Sequence, residues 1–460
     1  MEALDTSGGV EVQVMTRGSL LWIGMAMIVP AATVGAAGAD AVRRGQQALL
    51  GKCYAPPTMT RRAYDNAWKQ WGRQDKPAPA DYDRLFRQRY GLHQAPYPNG
   101  GLPMGLRPAA LPFGLGKGIS MDCMVCHGGS IADKSYVGLG NSVLDYQAFY
   151  EEMSAADGRA PRTPFHFCNV RGTNEAGSMA VYLLGFREPN LDRRPHRLDL
   201  DLHDDLCEDV PAWWLLKKKK TMYYTGGADA RSARSLMQFM MSPLNSASDI
   251  KRAEADFKDI HAYLLSLTPP KYPLPIDRSL AAQGEDLFRA NCARCHGAYG
   301  EDWTYPNKIV PIDTIGTDRR RFDGITKKFG AYYIKSWFNE DYPIRETAGY
   351  QAPPLDGIWA TAPYFHNGSA PTVYHVLNSK VRPKLFTRSY RTDLDAFDAE
   401  KLGWKIDVLA RKPDRKKLSP IEYRKIYDTA QPGRGNGGHT YGDKLSEPER
   451  MAVIEYLKTL

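Results

Sequence analysis

Four of the seven cysteines in this 460-residue chain form two copies of one pattern, Cys123-Met-Val-Cys126-His127 and Cys292-Ala-Arg-Cys295-His296. Two thiols at this spacing reach both vinyl groups of one haem, and the adjacent histidine then lies under the iron as its proximal ligand. A chain of this composition contains the pattern by accident roughly 0.002 times, so two copies are a strong signal. A shared zinc site would need four ligands to converge, whereas these pairs lie far apart and each carries its own histidine. The chemistry expected is that of two covalently bound haem c groups, ligated by His127 and His296.

Three cysteines are left over. In an oxidising compartment two of Cys53, Cys168 and Cys207 would pair, Cys168 with Cys207 first among the choices, and one would remain.

Two haem motifs call for two haem-binding units, and the chain repeats an ending. Phe257, Ile260, Tyr263, Leu264 and Leu267 recur at helical spacing before Pro269-Pro270 stops the run. Near the C-terminus Ser446-Glu447-Pro448-Glu449 reads as a capping box leading into Val453, Ile454, Tyr456, Leu457 and Leu460. The second unit also has an opening helix, with Leu280, Gly284, Leu287 and Phe288 on one face just ahead of Cys292, its glycine allowing close helix crossing. The first unit lacks such a helix before Cys123, so haem 1 is expected to be entered from a loop. The fold class expected is mainly α, with two cytochrome c-like haem domains, the first elaborated with long loops. The boundaries are 40–267 for the first domain, 268–277 for a Pro-rich linker and 278–460 for the second.

The N-terminus reads as an export signal over residues 1–39, with Met15 as an alternative start. Arg17 precedes an apolar run from Leu20 to Val34, followed by the small residues Ala37-Gly38-Ala39. The competing reading is an uncleaved anchor, although about 15 apolar residues fall short of the ~20 that span a bilayer. Either way the location expected is periplasmic. The formal charge of +9 omits four haem propionates and does not call for a nucleic-acid partner. Lys217 to Lys220 read as a solvated face or as a patch that steers an acidic redox partner.

Residues Thr361-Ala-Pro363-Tyr-Phe-His366-Asn-Gly-Ser-Ala-Pro-Thr372 resemble the signature loop of the bacterial di-haem cytochrome c peroxidase superfamily, which includes MauG and the rubber oxygenases. Trp213-Trp214 and Tyr223-Tyr224-Thr225-Gly226-Gly227 resemble further family segments, and the ending Gly435-Asn-Gly-Gly-His439-Thr-Tyr-Gly442 is similar to the rubber-oxygenase-like branch. The resemblance implies a distal ligand for haem 2. The family's methionine position is Lys380 here, so His439, His366 and His375 are the candidates. It also implies a tryptophan between the haems, Trp213 or Trp214, against the plain reading of a core residue. Interdomain calcium is implied at Thr361 and Pro363, with Asn174 as a third ligand.

The family's distal glutamate and glutamine are not evident. After Gly227 only Asp229, Arg231, Arg234 and Gln238 offer polar chemistry, and a floor of Met237, Phe239 and Met240 reads either as an apolar pocket or as core. Two functions remain open. One is a di-haem enzyme whose haem 1 activates peroxide or dioxygen, acting on a small organic substrate, while haem 2 exchanges electrons with a small redox protein or a quinol-linked partner. The other is a pure electron carrier with both irons six-coordinate, a ligand for haem 1 coming from His166, His196 or His203.

Overall fold

The computed structural model describes residues 31–111 and 116–460, with side chains from residue 38. The expected export signal lies outside them, except that residues 31–39 begin the helix Ala31–Gly51. Ala41–Leu460 form one compact unit. Of the described helices none is long and apolar enough to cross a membrane. The chain is 38% helical and 12% strand, and its described sheets have two or three strands, which makes the class mainly α.

The second haem motif sits where its sequence requires. The helix Arg278–Asn291 runs into Cys292 and crosses the closing helix Glu447–Leu457 at Gly284, where a Cβ would fall 1.9 Å from the Ala452 carbonyl oxygen. Only glycine permits that approach. Ser446 and Glu449 form the reciprocal cap, with proline in the first turn.

For the first motif the expectation is corrected. An opening helix does exist, but it lies far upstream. The segment Ala41–Gly51 crosses the closing helix Ala247–Ser266 at Gly45, where a Cβ would stand 1.9 Å from the Asp259 carbonyl oxygen. Cys53 follows Gly45 at the same interval as Cys292 follows Gly284. A long insertion then separates this helix from Cys123. It contains an antiparallel sheet whose central strand, Lys117–Met121, pairs with Leu106–Ala110 and Met59–Thr60 and delivers the chain to the motif. Arg107 restores the lost continuity. Its guanidinium donates to the Leu49 and Leu50 carbonyls at the end of the opening helix and pairs with Asp122, while Asp122 accepts the Met124 N–H at 2.7 Å. A cation at a helix C-terminus and an anion at a helix N-terminus are both favoured by the helix dipole.

The cores interleave across the Pro-rich segment. Phe257, Ile260 and Leu264 of the first closing helix share a cluster with Phe329, Tyr333, Trp337 and Phe338 from beyond it. Ile131, Leu139 and Trp214 likewise share one with Phe288, Val453 and Leu457.

Candidate haem centres

At the first centre Cys123, Cys126 and His127 line a cavity of about 1410 Å³. The motif forms a one-turn helix, Met124–His127, and the following hairpin folds back so that Gly138 donates to the His127 carbonyl at 2.8 Å. Trp213 donates its N–H to Gly138 at 2.8 Å and stacks on the His127 ring at 4.5 Å and 20°. His127 Nδ1 is buried without a hydrogen bond of ordinary length. Burial drives its imidazole pKa down to about 4, the Pro211 carbonyl opposing this, so the ring is neutral as a metal ligand must be.

The rest of the lining decides what this centre can do. Among the described residues, His127 is its one imidazole, and Met121 and Met179 are its thioethers. Met121 Sδ accepts the Tyr146 hydroxyl at 3.7 Å. None of the three alternative histidines reaches the cavity: His166 is paired with Asp204 at 2.8 Å, His203 accepts from Arg320 at 2.9 Å, and His196 is exposed.

Gln238 does line the cavity, as does Phe239. Met237 and Met240 are instead fully packed core, so two thirds of the expected apolar floor is structural. Asp229 pairs with Arg231 outside, and Arg234 is consumed by Glu254 and Glu340 and by the face of Trp337. Further polar groups share this lining. Tyr223 and Tyr333 both bond to Gln238, and Arg321 forms a buried ion pair with Glu208. They come from five separate stretches, and only the fold brings them to one wall.

At the second centre His296 Nδ1 lies 2.8 Å from the Pro353 carbonyl. That acceptor holds the proton on Nδ1 and leaves Nε2 for a metal. His439 stands with its ring centroid 6.2 Å from that of His296. Two imidazoles on one iron, each with a metal–nitrogen bond of about 2.0 Å and a centroid roughly 1 Å beyond, are separated by about 6 Å. His439 Nδ1 is buried and unpartnered, and burial, with His296 and Arg382 adding to it, lowers its pKa to about 4. The residues thus fit a haem held between two neutral imidazoles.

His439 is placed by a demanding loop. It adopts φ 45°, donates its N–H to the Ile315 carbonyl at 2.8 Å, and follows Gly438, whose hydrogen faces Gly316 with no room for a Cβ. Asn367 holds the Gly433 and Gly435 carbonyls at 3.0 Å each, and Arg382 holds those of Asn436 and Gly438 at 2.7 Å each. His375 Nδ1 is engaged by Thr372 at 2.7 Å. His366 packs on Tyr350 at 4.3 Å, its Nε2 3.4 Å from the Tyr350 hydroxyl.

Trp213 packs in the first core and Trp214 in the second. Trp214 Nε1 donates to the Asp356 carbonyl at 2.8 Å, in the loop that also carries Pro353. Asn174 pairs with Glu208, and the neighbouring Asp209 donates its N–H to His366 in the loop that holds Thr361 and Pro363. Among the described residues no group of three or more His, Cys, Asp or Glu side chains is arranged to hold a metal ion. The leftover cysteines are free thiols, Cys168 and Cys207 buried and Cys53 exposed, so the expected Cys168–Cys207 bridge is not formed. Cys168 donates to the Val170 carbonyl at 2.9 Å and Cys207 to Thr173 at 3.4 Å.

Among comparisons with known proteins, a family match falls beside this second centre. Residues 349–387 match the RoxA-like, cytochrome c-like family. That segment contains Pro353, Asn367 and Arg382, which fix both facing imidazoles. Two proteins of Sinorhizobium fredii are similar, each described as uncharacterized. To y4iM the identity is 28% over 300 residues, 55% of this chain and 64% of that protein. To y4iJ it is 29% over 263 residues, 42% and 41%. The chain thus spans less than two thirds of either relative's length. The match supports a relationship to c-type cytochromes of the rubber-oxygenase-like kind.

Proposed function

We propose that the protein is a periplasmic di-haem c-type cytochrome oxidoreductase in which haem 1 reacts with dioxygen or peroxide and haem 2 relays electrons. The observation that carries this reading is the contrast between the centres: His127 faces a large cavity with no second imidazole in its lining, whereas His296 faces His439 at 6.2 Å. When bound, the haems supply irons that take oxygen ligands or exchange electrons according to their axial ligation.

The chain does the remaining work. Cys123, Cys126, Cys292 and Cys295 hold the groups covalently, and the Pro353 carbonyl orients His296. Apolar side chains such as Phe239, Phe329 and Ile344 line the first cavity and favour an organic substrate of low polarity. Trp213, stacked on His127, and Trp214, in the adjoining core, lie on the path between the centres. Calcium held by the Thr361 and Pro363 carbonyls and by Asn174 would brace the same junction.

The electron-carrier reading keeps one specific observation in its favour, the Met179 thioether in the lining of the first cavity. Absorption titration of the reduced holoprotein with carbon monoxide separates the two. One equivalent bound per chain, in wild type and Met179→Ala alike, is the enzyme result. No binding in wild type, relieved in Met179→Ala, is the carrier result.

A further inference from the structure

Tyr223, Gln238 and Tyr333 form one hydrogen-bonded polar cluster in the lining of the first cavity. Its hydrogen bonds can be counted. Gln238 spends its amide N–H groups on the two phenol oxygens, 2.8 Å from Tyr223 and 3.1 Å from Tyr333. Tyr223 in turn donates its own proton to the Ser235 carbonyl at 3.0 Å. It keeps 37% of its surface accessible although burial pushes its phenol up to about 12; that surface faces the cavity.

Tyr333 differs. It is 2% accessible, accepts from Gln238, and donates its O–H in none of the hydrogen bonds of the described residues; the Ser235 hydroxyl is its other polar neighbour. Apart from that hydroxyl the O–H has no acceptor of ordinary geometry, and a buried donor so placed is available to a ligand or a water. Phe329, whose ring centroid lies 5.7 Å from that of Tyr333, also lines the cavity.

We propose that Tyr333 is the hydrogen-bond donor to a diatomic or peroxidic ligand carried at haem 1, and that Gln238 is its positioning residue, fixing the phenol by occupying its acceptor side. This rests on the reading of haem 1 as open to ligands. A neutral phenol would take the place of the family's distal glutamate, donating a hydrogen bond without adding a charge.

The test is the C–O stretching band of the ferrous carbonyl holoprotein, recorded in H₂O and D₂O. In the wild type the band shifts on deuteration. In Tyr333→Phe it moves to higher frequency and the deuterium shift vanishes, since donation to the ligand oxygen is what weakens the C–O bond. Tyr223→Phe retains both properties, because that proton belongs to Ser235. In Gln238→Leu the single band splits or broadens as the phenol loses its anchor. A Tyr333→Phe protein with wild-type haem content and an unchanged band overturns the proposal, as does a wild-type band insensitive to deuterium, which requires no variant to fold. If the wild type forms no carbonyl adduct, the open-haem reading itself falls and takes this inference with it.

Discussion

His439 illustrates what one side chain decides. In the proposed reading His439 would close haem 2 opposite His296, and its removal would leave that position open. His439→Ala should therefore raise carbon monoxide binding from one to two equivalents per chain, read by absorption titration of the reduced protein. Stoichiometry that stays at one would remove His439 from the coordination sphere. Its candidacy was legible through the resemblance of the ending Gly435 to Gly442 to the rubber-oxygenase-like branch. Tyr333, Arg321 and Glu208 were not legible, since nothing in their local sequence marks them and only folding brings them to the cavity.

A second residue-scale prediction concerns acid. His93 is 9% accessible, with Nε2 3.1 Å from Asn141 Oδ1, and burial lowers its pKa from 6.5 to about 4. Between those values the unfolded chain binds a proton that the folded chain refuses. Stability is therefore complete above 6.5 and declines as pH falls toward 4. From pH 7 to pH 5 this group should cost about 2 kcal/mol, at ~1.4 kcal/mol per unit below 6.5. In urea denaturation His93→Gln should lose that much less than wild type over the same interval; equal losses would show that His93 is not the responsible group.

At the scale of elements, two helix pairs carry the same device. Gly45 meets Asp259 and Gly284 meets Ala452 at distances that leave no room for a methyl group. Gly45→Ala and Gly284→Ala should each destabilise by about 1–3 kcal/mol or more, the usual cost of overpacking, lowering the denaturation midpoint without changing its slope. Stability unaltered in either variant would mean the helices are free to separate. The closing helices were readable from apolar spacing and stop signals, and the second opening helix from its position just before Cys292. The first opening helix was not legible because the insertion separates it from Cys123. A usable signal was present in the shared interval from Gly45 to Cys53 and from Gly284 to Cys292.

The two haem motifs implied two units, but not that Phe329 and Tyr333 would complete the first core or Ile131 and Leu139 the second. Periodicity shows which face of an element is buried and is silent on its partner. The interleaving places Trp213 and Trp214 where the cores adjoin. Trp213→Phe should slow electron redistribution between the haems after photolysis of the mixed-valence carbonyl form while leaving both haem spectra unchanged; an unaltered rate would put the route elsewhere.

The central claim is that one molecule holds two haems of unlike coordination, one open beside His127 and one closed between His296 and His439. Electron paramagnetic resonance of the ferric holoprotein tests it most directly. The expected spectrum contains one high-spin and one low-spin signal in equal amounts, with only the high-spin signal responding to added azide or peroxide. Two low-spin signals indifferent to either reagent, or a single signal integrating to one iron per chain, would contradict it.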